Sequence, residues 1–214
     1  MKKTFRYAAA MLCTVLTAAS LAGCKSTEED GTIKQKDLPY GATITIKNNF
    51  AIKIQYDERF LSQELVARVV EYYQSIQDRD AEKYAGVLFP MYHDYLLNTV
   101  SGGQSNNQEY VNNEYDNFKK TLGKAFDFSY LEISNAGRGK QYKDSAALLN
   151  SLDDIAKESG KSAVSDKIDD IYELKMTCYL TEDQSGVRTE TGCSLEDLSL
   201  FALHCDGKWY LIED

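Results

Sequence analysis

The sequence predicts an α+β domain, because helical and strand periodicities occupy different parts of the chain. Apolar residues recur at intervals of three and four between residues 62 and 122, which is typical of amphipathic helices. They alternate with polar residues between 172 and 180, which is typical of half-buried strands. Asp206-Gly207 then separates two apolar runs, as in a two-residue β-hairpin. Helices first and an antiparallel sheet last is an α+β arrangement.

Composition excludes several classes of protein. The 214 residues are 43% hydrophobic and 27% charged with only 2 Pro, so the chain is neither collagen-like nor low-complexity. Five Cys are too few for a disulfide scaffold of this length. A net charge of −9 argues against a broad basic face for nucleic acid or an anionic lipid surface.

The first 23 residues have the features of an export signal. Lys2, Lys3 and Arg6 precede an apolar stretch that Thr and Ser interrupt, and it ends in small residues. The stretch is short for a bilayer span, which needs roughly 20 apolar residues. Removing Met1–Gly23 would lower the net charge from −9 to −12.

The signal ends in Leu21-Ala22-Gly23-Cys24, which resembles the lipobox of bacterial lipoproteins. The resemblance implies cleavage between Gly23 and Cys24 and a diacylglycerol, with acyl chains such as palmitate, on the Cys24 thiol. Two or more acyl chains anchor a protein stably to a membrane. An uncleaved anchor or an ordinary secretory signal is the alternative. We expect a lipid-anchored protein on the extracytoplasmic side of the cell membrane or the outer membrane.

The remaining chain divides into a tether and one domain. Residues 24–37 comprise the lipidated Cys and a polar segment without aromatic residues, which predicts a flexible tether. Residues 38–214 have the length of one domain.

The elements are predicted in chain order. Residues 42–56 alternate around Asn48-Asn49, which predicts a hairpin or two short strands. Ser62 is a candidate N-cap for the first long helix, and Asp80 opens a shorter helix that ends before Pro90. A loop over 101–107, a helix over 110–122, a strand over 126–133 and a helix over 146–157 follow.

The last third of the chain is the most regular. Residues 172–180 form a half-buried strand, and Leu198–Cys205 is apolar on both faces, which predicts a central strand. The Asp206-Gly207 turn pairs Cys205 with Lys208, His204 with Trp209 and Ala202 with Leu211.

Two segments resemble NTF2-like domains. A long helix followed by Gln77–Tyr84 and Leu88-Phe89-Pro90 is similar to their helix–turn–helix opening. The segment Asp206–Leu211 resembles their closing strand. The resemblance implies an NTF2-like or cystatin-like cone, in which the sheet wraps a long helix and often encloses an apolar pocket.

No catalytic constellation is apparent. The two histidines, His93 and His204, have no zinc spacing with a Cys, and no segment supplies a calcium loop, so we expect neither a metal nor a cofactor. His204 beside Trp209 is a candidate ligand-binding pair, although a strand-end residue packed on an indole is the simpler interpretation. Tyr130, on the first long strand, is a third candidate.

Tyrosine and cysteine leave alternatives open. Five Tyr crowd the first helices and predict either a ring-lined groove or a core whose hydroxyls reach the surface: Tyr72, Tyr73, Tyr84, Tyr92 and Tyr95. Cys178, Cys193 and Cys205 are an odd number, so at most one disulfide forms among them.

These features favour a non-enzymatic, surface-anchored binding module of the cell envelope, which holds a small apolar ligand or a protein partner. The first alternative is a hydrolase, isomerase or dehydratase of the NTF2-like fold. It predicts a deep pocket with a buried, pKa-shifted carboxylate or a His–Asp pair at its base. The second alternative is a structural envelope protein that forms a homodimer through an exposed apolar sheet face. Nucleic acid is not an expected partner.

Overall fold

A computed structural model describes residues 34–100, 106–122, 125–184 and 187–213 of the chain. The lipobox at 21–24 and most of the predicted 101–107 loop lie outside these residues. The described helices and strands belong to one unit, Gln35–Asp214. The α-helices and strands are, in chain order, β1 (Thr45–Lys47), β2 (Lys53–Tyr56), α1 (Gln63–Asp78), α2 (Ala81–Val87), α3 (Pro90–Tyr95), α4 (Asn107–Leu122), β3 (Phe126–Arg138), α5 (Lys143–Glu158), β4 (Ile168–Gln184), β5 (Val187–Cys205) and β6 (Lys208–Glu213). Short 3-10 helices lie at Gln35–Asp37, at the end of the predicted tether, and at Ser165–Lys167, and a π-helical turn lies at Leu96–Val100.

The described strands form one sheet in the order β1-β2-β3-β4-β5-β6, which confirms the α+β class. The expectation of a wholly antiparallel, C-terminal sheet is wrong. The N-terminal hairpin β1–β2 joins the sheet, and β2 pairs with β3 in parallel, with Ile54 opposite Leu131. The reason is the long helical connection between β2 and β3, which returns the chain to the same end of the sheet, whereas a short turn allows only antiparallel pairing.

The inner face of the sheet packs against α1. Ser62 caps this helix by accepting a hydrogen bond from the Leu65 backbone N–H at 3.2 Å, as the sequence predicts. Leu65, Val69 and Ile76 are fully buried on the side of α1 that faces the sheet. The first apolar core therefore lies between α1 and the sheet.

The outer face of the sheet carries a second core beneath α5. Leu152 on α5 and Ile171 on β4 are fully buried there, and Leu203 on β5 joins them. In β5, Leu200 and Ala202 belong to the inner core while Phe201 and Leu203 belong to the outer one. The prediction that Leu198–Cys205 forms an internal strand is confirmed, because β5 lies between β4 and β6.

The final hairpin has the predicted register. Cys205 pairs with Lys208 and His204 with Trp209. Asp206 and Gly207 have φ angles of 51° and 74°, the two positive values that a type I′ turn requires.

Pro90 ends one helix and starts another. Asp80 caps α2 as predicted, and α2 stops at Val87, but α3 then begins with Pro90 in its first turn. Proline is favoured at this position because the first helical N–H has no partner within the helix. Between the two helices, the Phe89 N–H donates to the Leu211 carbonyl on β6 at 2.9 Å. This contact covers part of the β6 edge.

A buried ion pair fixes the chain before β1. The Asp57 carboxylate is fully buried and accepts hydrogen bonds from Arg59 Nε at 2.9 Å and from the Gly41 N–H at 3.0 Å. The Arg59 guanidinium also donates to the Pro39 carbonyl at 2.8 Å and to the Leu38 carbonyl at 3.2 Å. The pair, which we call the Asp57 clasp, holds residues 38–41 against the segment between β2 and α1.

The Asp57 clasp makes stability depend on acidic pH. The Arg59 side chain holds the pKa of Asp57 at about 2, below its ordinary 3.8, although burial opposes this shift. The folded state therefore binds fewer protons than the unfolded state, and the stabilisation present above pH 4 is lost as pH falls toward 2. At 1.4 kcal/mol per pKa unit, Asp57→Asn should lower the free energy of unfolding by about 2 kcal/mol at pH 7. Urea unfolding from pH 2 to 7 measures this.

The exposed Asp154→Asn change on α5 is the matched control and should leave the free energy of unfolding unchanged within about 0.5 kcal/mol. Equal stability of the Asp57→Asn and Asp154→Asn proteins at pH 7 would show that the clasp contributes nothing.

Candidate functional site

The candidate site starts from the position of α4. Asn106 and Glu109 form a reciprocal cap: Asn106 Oδ1 accepts from the Glu109 N–H at 3.0 Å, and Glu109 Oε2 accepts from the Asn106 N–H at 3.3 Å. The cap sets where α4 begins and therefore which residues face the core. Glu114 lies four residues after Tyr110 and four before Phe118, within the buried stripe of the helix. A carboxylate therefore enters an otherwise apolar face.

A second carboxylate reaches the same place from β6. Trp209, Leu211 and Glu213 alternate along this strand and share its inner face, because successive strand residues point to opposite sides. Tyr72 Oη donates to Glu213 Oε1 at 3.0 Å, and Tyr84 Oη donates to the same oxygen at 2.5 Å. Two helices thus supply hydroxyl groups to one carboxylate oxygen, which places Glu213 firmly.

A cavity of about 320 Å³ lies beside both carboxylates. Its volume is in the range of small-molecule sites. Its wall combines aromatic and aliphatic side chains with three carboxylates, and none of its residues is Lys, Arg or His: Tyr72, Tyr73, Glu114, Phe118, Asp197, Leu198, Ser199, Leu200 and Glu213. An anionic ligand would be repelled from such a cavity.

Burial and the neighbouring Glu213 perturb Glu114. The pKa of the Glu114 carboxyl group is raised to about 7 from its ordinary 4.5, first by burial and second by the nearby Glu213 charge. Among the described residues, Glu114 has no hydrogen-bond or ion-pair partner that would stabilise its charged form. Burial and Glu213 also raise the pKa of Tyr84, so its hydroxyl remains a donor. Glu114 can therefore gain or lose a proton near neutral pH, while the Tyr84 hydroxyl group stays protonated.

A bulge in β5 brings the third carboxylate to the cavity. Met176 pairs with Leu198 and Cys178 with Leu195, so Glu196 and Asp197 together oppose a single residue of β4. Asp197 has a φ of 59°, which is uncommon for a residue with a side chain. Bulges redirect side chains and are frequent next to binding sites.

His93 lies behind the tyrosines. It is buried on α3, its ring meets Tyr84 and Tyr110 edge to face with centroids 6.0 Å apart, and its Nε2 lies 3.0 Å from Asn107 Oδ1. These contacts join α3 to the start of α4. His93 therefore helps position the helix that carries Glu114, and it does not line the cavity.

The residues singled out from the sequence lie elsewhere. His204 and Trp209 are together, with ring centroids 4.9 Å apart, and His204 Nδ1 is 3.3 Å from Asp169 Oδ2. This geometry is that of a strand-end residue packed on an indole. Tyr130 lies on the outer face of the sheet, against Tyr179 at 5.3 Å. None of the three lines the cavity beside Glu114.

The five tyrosines differ in position, and the sequence left two interpretations open for them: a ring-lined groove and a core. Tyr72 and Tyr73 line the cavity, while Tyr84 is fully buried and reaches it only through Glu213. Tyr92 and Tyr95 are half-buried on α3.

The two thiols that the structure describes are not activated. Cys178 and Cys205 are buried and free, and burial raises the pKa of both, that of Cys178 to about 12. The side chain of Cys193 lies outside the described part of the chain. Cys205 borders a second cavity of about 260 Å³ near the last hairpin, where Lys161 and Lys167 face Asp94 and Asp206. Thiolate chemistry has no support at either cysteine.

Sequence reasoning missed Glu114, Asp197 and Glu213, although two of them carry a signal. Glu114 interrupts an apolar helical stripe, and Glu213 continues the inward alternation of Trp209 and Leu211. An acid at a position that the periodicity assigns to the core is a candidate site residue. Asp197 carries no such signal, because its position depends on a bulge.

Comparisons with known proteins add no family. No family model, curated protein or solved structure matches the chain. Within the described ranges, no helix combines the length and apolarity needed to cross a membrane, and no group of His, Cys, Asp or Glu is arranged to hold a metal ion. Function must therefore be argued from the site itself.

Glu114 should make the protein less stable at higher pH. Its raised pKa means that the folded state binds more protons than the unfolded state between pH 4.5 and 7, so the free energy of unfolding falls as pH rises through this window. We expect a fall of roughly 1–2 kcal/mol between pH 5 and 8, after allowance for partial solvent screening. Glu114→Gln should remove most of this dependence and be the more stable protein at pH 8.

Denaturant unfolding at pH 5 and pH 8 gives the comparison. Asp116→Asn, an exposed change on the same helix, should keep the native pH dependence. If Glu114→Gln and the native protein lose stability equally over this range, the pH dependence does not come from Glu114.

Proposed function

We propose that the chain is a lipid-anchored binding module of the bacterial envelope, and that its domain holds a small ligand in the cavity beside Glu114 and Glu213. The observation that carries this proposal is a cavity of about 320 Å³ with paired carboxylates on an aromatic wall. Burying the two carboxyl groups side by side costs folding free energy. Either one of them must take up a proton, or two negative charges must lie close together. A ligand that satisfies both carboxylates would offset this cost.

The ligand that fits is a small organic cation with an apolar body. Glu114, Asp197 and Glu213 supply negative charge, and no basic residue lines the cavity to compete for it. The rings of Tyr72 and Phe118 offer faces for an ammonium group or an aromatic ring. This extends the sequence-based expectation of an apolar ligand by adding a positive charge.

The proposal has two further parts, the lipid anchor and the NTF2-like fold family. The lipobox Leu21-Ala22-Gly23-Cys24 supports attachment through Cys24 on the extracytoplasmic side of the cell membrane or the outer membrane. A long helix on the inner face of a six-stranded sheet, with a cavity between the sheet and α4, supports an NTF2-like cone.

An enzyme that uses acid–base catalysis is the second candidate. The observation in its favour is the Glu114 carboxyl group, whose pKa of about 7 suits a general acid or base at neutral pH. Glu213, held by two tyrosine hydroxyls, would be the second carboxyl group of such a site. The two functions differ in one outcome: an enzyme releases its ligand chemically altered, and a binding module releases it unchanged.

Three probes with the same benzyl body test the ligand class. Benzylamine is cationic at neutral pH, benzyl alcohol is neutral and benzoate is anionic. We expect benzylamine to raise the melting temperature most and benzoate to have no effect, because only the cation neutralises the carboxylates. The double change Glu114→Gln with Glu213→Gln should abolish the benzylamine effect, and Asp116→Asn should preserve it. Equal shifts with benzylamine and benzoate would contradict the cationic class.

The anchor is tested at the cysteine itself. Cys24→Ser should prevent lipid attachment, because serine has no thiol to alkylate. The mass increment of the diacylglycerol should be lost, and the signal should stay uncleaved. Cys13→Ser lies within the same signal but outside the lipobox and should change neither property. Intact-mass spectrometry measures both. A Cys24→Ser protein with an unchanged mass increment would refute lipidation at Cys24.

A further inference from the structure

Two pairs of exposed or half-exposed apolar side chains lie on the outer face of the sheet. Ile44 and Ile46 are 49% and 56% exposed, and Tyr179 is 37% exposed. The polar residues Lys53, Gln55 and Glu132 lie between the two pairs. Tyr130 packs against Tyr179 with ring centroids 5.3 Å apart. We call these four residues the outer patch.

Strand register puts the four on one side. Ile46 pairs with Gln55, Gln55 with Glu132, and Tyr130 with Tyr179, so their side chains share the face opposite α1. Tyr130 Oη donates to Gln55 Oε1, and Tyr179 Oη donates to Glu132 Oε2 at 3.1 Å. The rings therefore lie along the sheet with their hydroxyls satisfied. Helix α5 covers a different part of this face, over Ile171 and Leu203.

The tether enters the domain beside the outer patch. The Asp57 clasp holds residues 38–41, and Asp57 also accepts a hydrogen bond from Thr43 Oγ1 at 3.2 Å, directly before Ile44. Gln35–Asp37 is a short 3-10 helix whose Gln35 carbonyl accepts a hydrogen bond from Arg59. If the predicted tether before it behaves as a random coil, its 11 residues (24–34) would span about 18 Å on average. A lipid on Cys24 would therefore keep Ile44 and Ile46 within reach of the bilayer at a high effective concentration.

We propose that the outer patch docks on the phospholipid bilayer to which the chain is anchored, with Ile44 and Ile46 entering the interface. This inference rests on the proposed lipidation. Isoleucine supplies apolar area, and tyrosine is favoured at the level of the lipid headgroups because its ring is apolar and its hydroxyl is polar. Lys53 and Glu132 beside the patch have opposite charges, so the contact does not require anionic lipid.

Docking fixes which side of the domain faces outward. The cavity beside Glu114 lies on the inner side of the sheet, between the sheet and α4, and the outer patch lies on the opposite side. A docked domain would turn the cavity away from its own membrane. Its ligand would then arrive from the surrounding envelope or medium.

Lipid-quenching fluorescence on the full lipidated chain tests the proposal. Ile46→Trp places an indole in the patch, and Asn117→Trp places one on the exposed side of α4. Both proteins keep Trp209 as a constant background and are reconstituted into phosphatidylcholine vesicles with brominated acyl chains. Docking predicts emission about twofold lower for the position-46 indole than in unbrominated vesicles, and little change at position 117, because only interfacial side chains reach the acyl region.

Two substitutions that add the same negative charge control for electrostatic effects on docking. In the Ile46→Trp protein, Ile44→Asp and Asn48→Asp add the same charge two residues from the indole, but only Ile44→Asp removes apolar area. Ile44→Asp should abolish the quenching, and Asn48→Asp should retain it. Equal loss with both would overturn an apolar contact.

The remaining outcomes separate docking from anchoring. Flotation with the vesicles without quenching at position 46 would overturn docking and leave the anchor intact. Failure to float would overturn both. If a second copy covers the patch, position 46 stays unquenched and the protein is dimeric in detergent by light scattering, which also overturns the bilayer contact.

Discussion

The fold depends on the burial of β5 on both of its faces. Leu200 and Ala202 require an apolar cover on one side, and Phe201 and Leu203 require one on the other. A strand of this kind needs a sheet that is covered on both faces. Helices α1 and α5 supply those covers, and the connections that carry them determine the order of the strands. The parallel β2–β3 pair follows from this arrangement. Helix α1 lies between these two strands in the chain, and it packs on the sheet before the chain returns to form β3.

Helix α1, which covers the inner face of the sheet, leaves a cavity where it meets α4, and the wall of this cavity is partly polar. Most of the inner core is Ile, Leu and Val, yet Glu114 and Glu213 meet at its edge with Tyr72 and Tyr84 around them. Replacing such a pair with apolar residues commonly stabilises a fold. The tyrosine hydroxyls hold Glu213 in one place, while Glu114 has no comparable support among the described residues. The two identical functional groups therefore differ: Glu213 is fixed by hydrogen bonds, and Glu114 is the one whose pKa is raised.

Local patterns predicted the elements well and their assembly less well. Ser62 and Asp80 cap helices as expected, and the Asp206-Gly207 turn sets the register of the last hairpin, because each depends on neighbouring residues alone. The parallel pairing of β2 with β3 depends on where a long crossover returns, which local periodicity does not encode. The same limit applies to the site. Glu114 and Glu213 are 99 positions apart in the numbering, and Asp197 reaches them only through a bulge that no residue pattern announces.

The two edges of the sheet differ in a way that limits self-association. At β6, the Phe89 N–H already occupies the Leu211 carbonyl, and Leu88 bridges to the same residue, so a further strand cannot add along the whole edge. At β1, the three-residue strand Thr45–Lys47 has one neighbour within the described sheet. Unprotected edges are templates for adding strands from other chains. Fibre growth by strand addition needs two such templates on each subunit, one to receive and one to offer. With one short edge available and the other obstructed, strand pairing between copies would close at two subunits and could not propagate into a polymer.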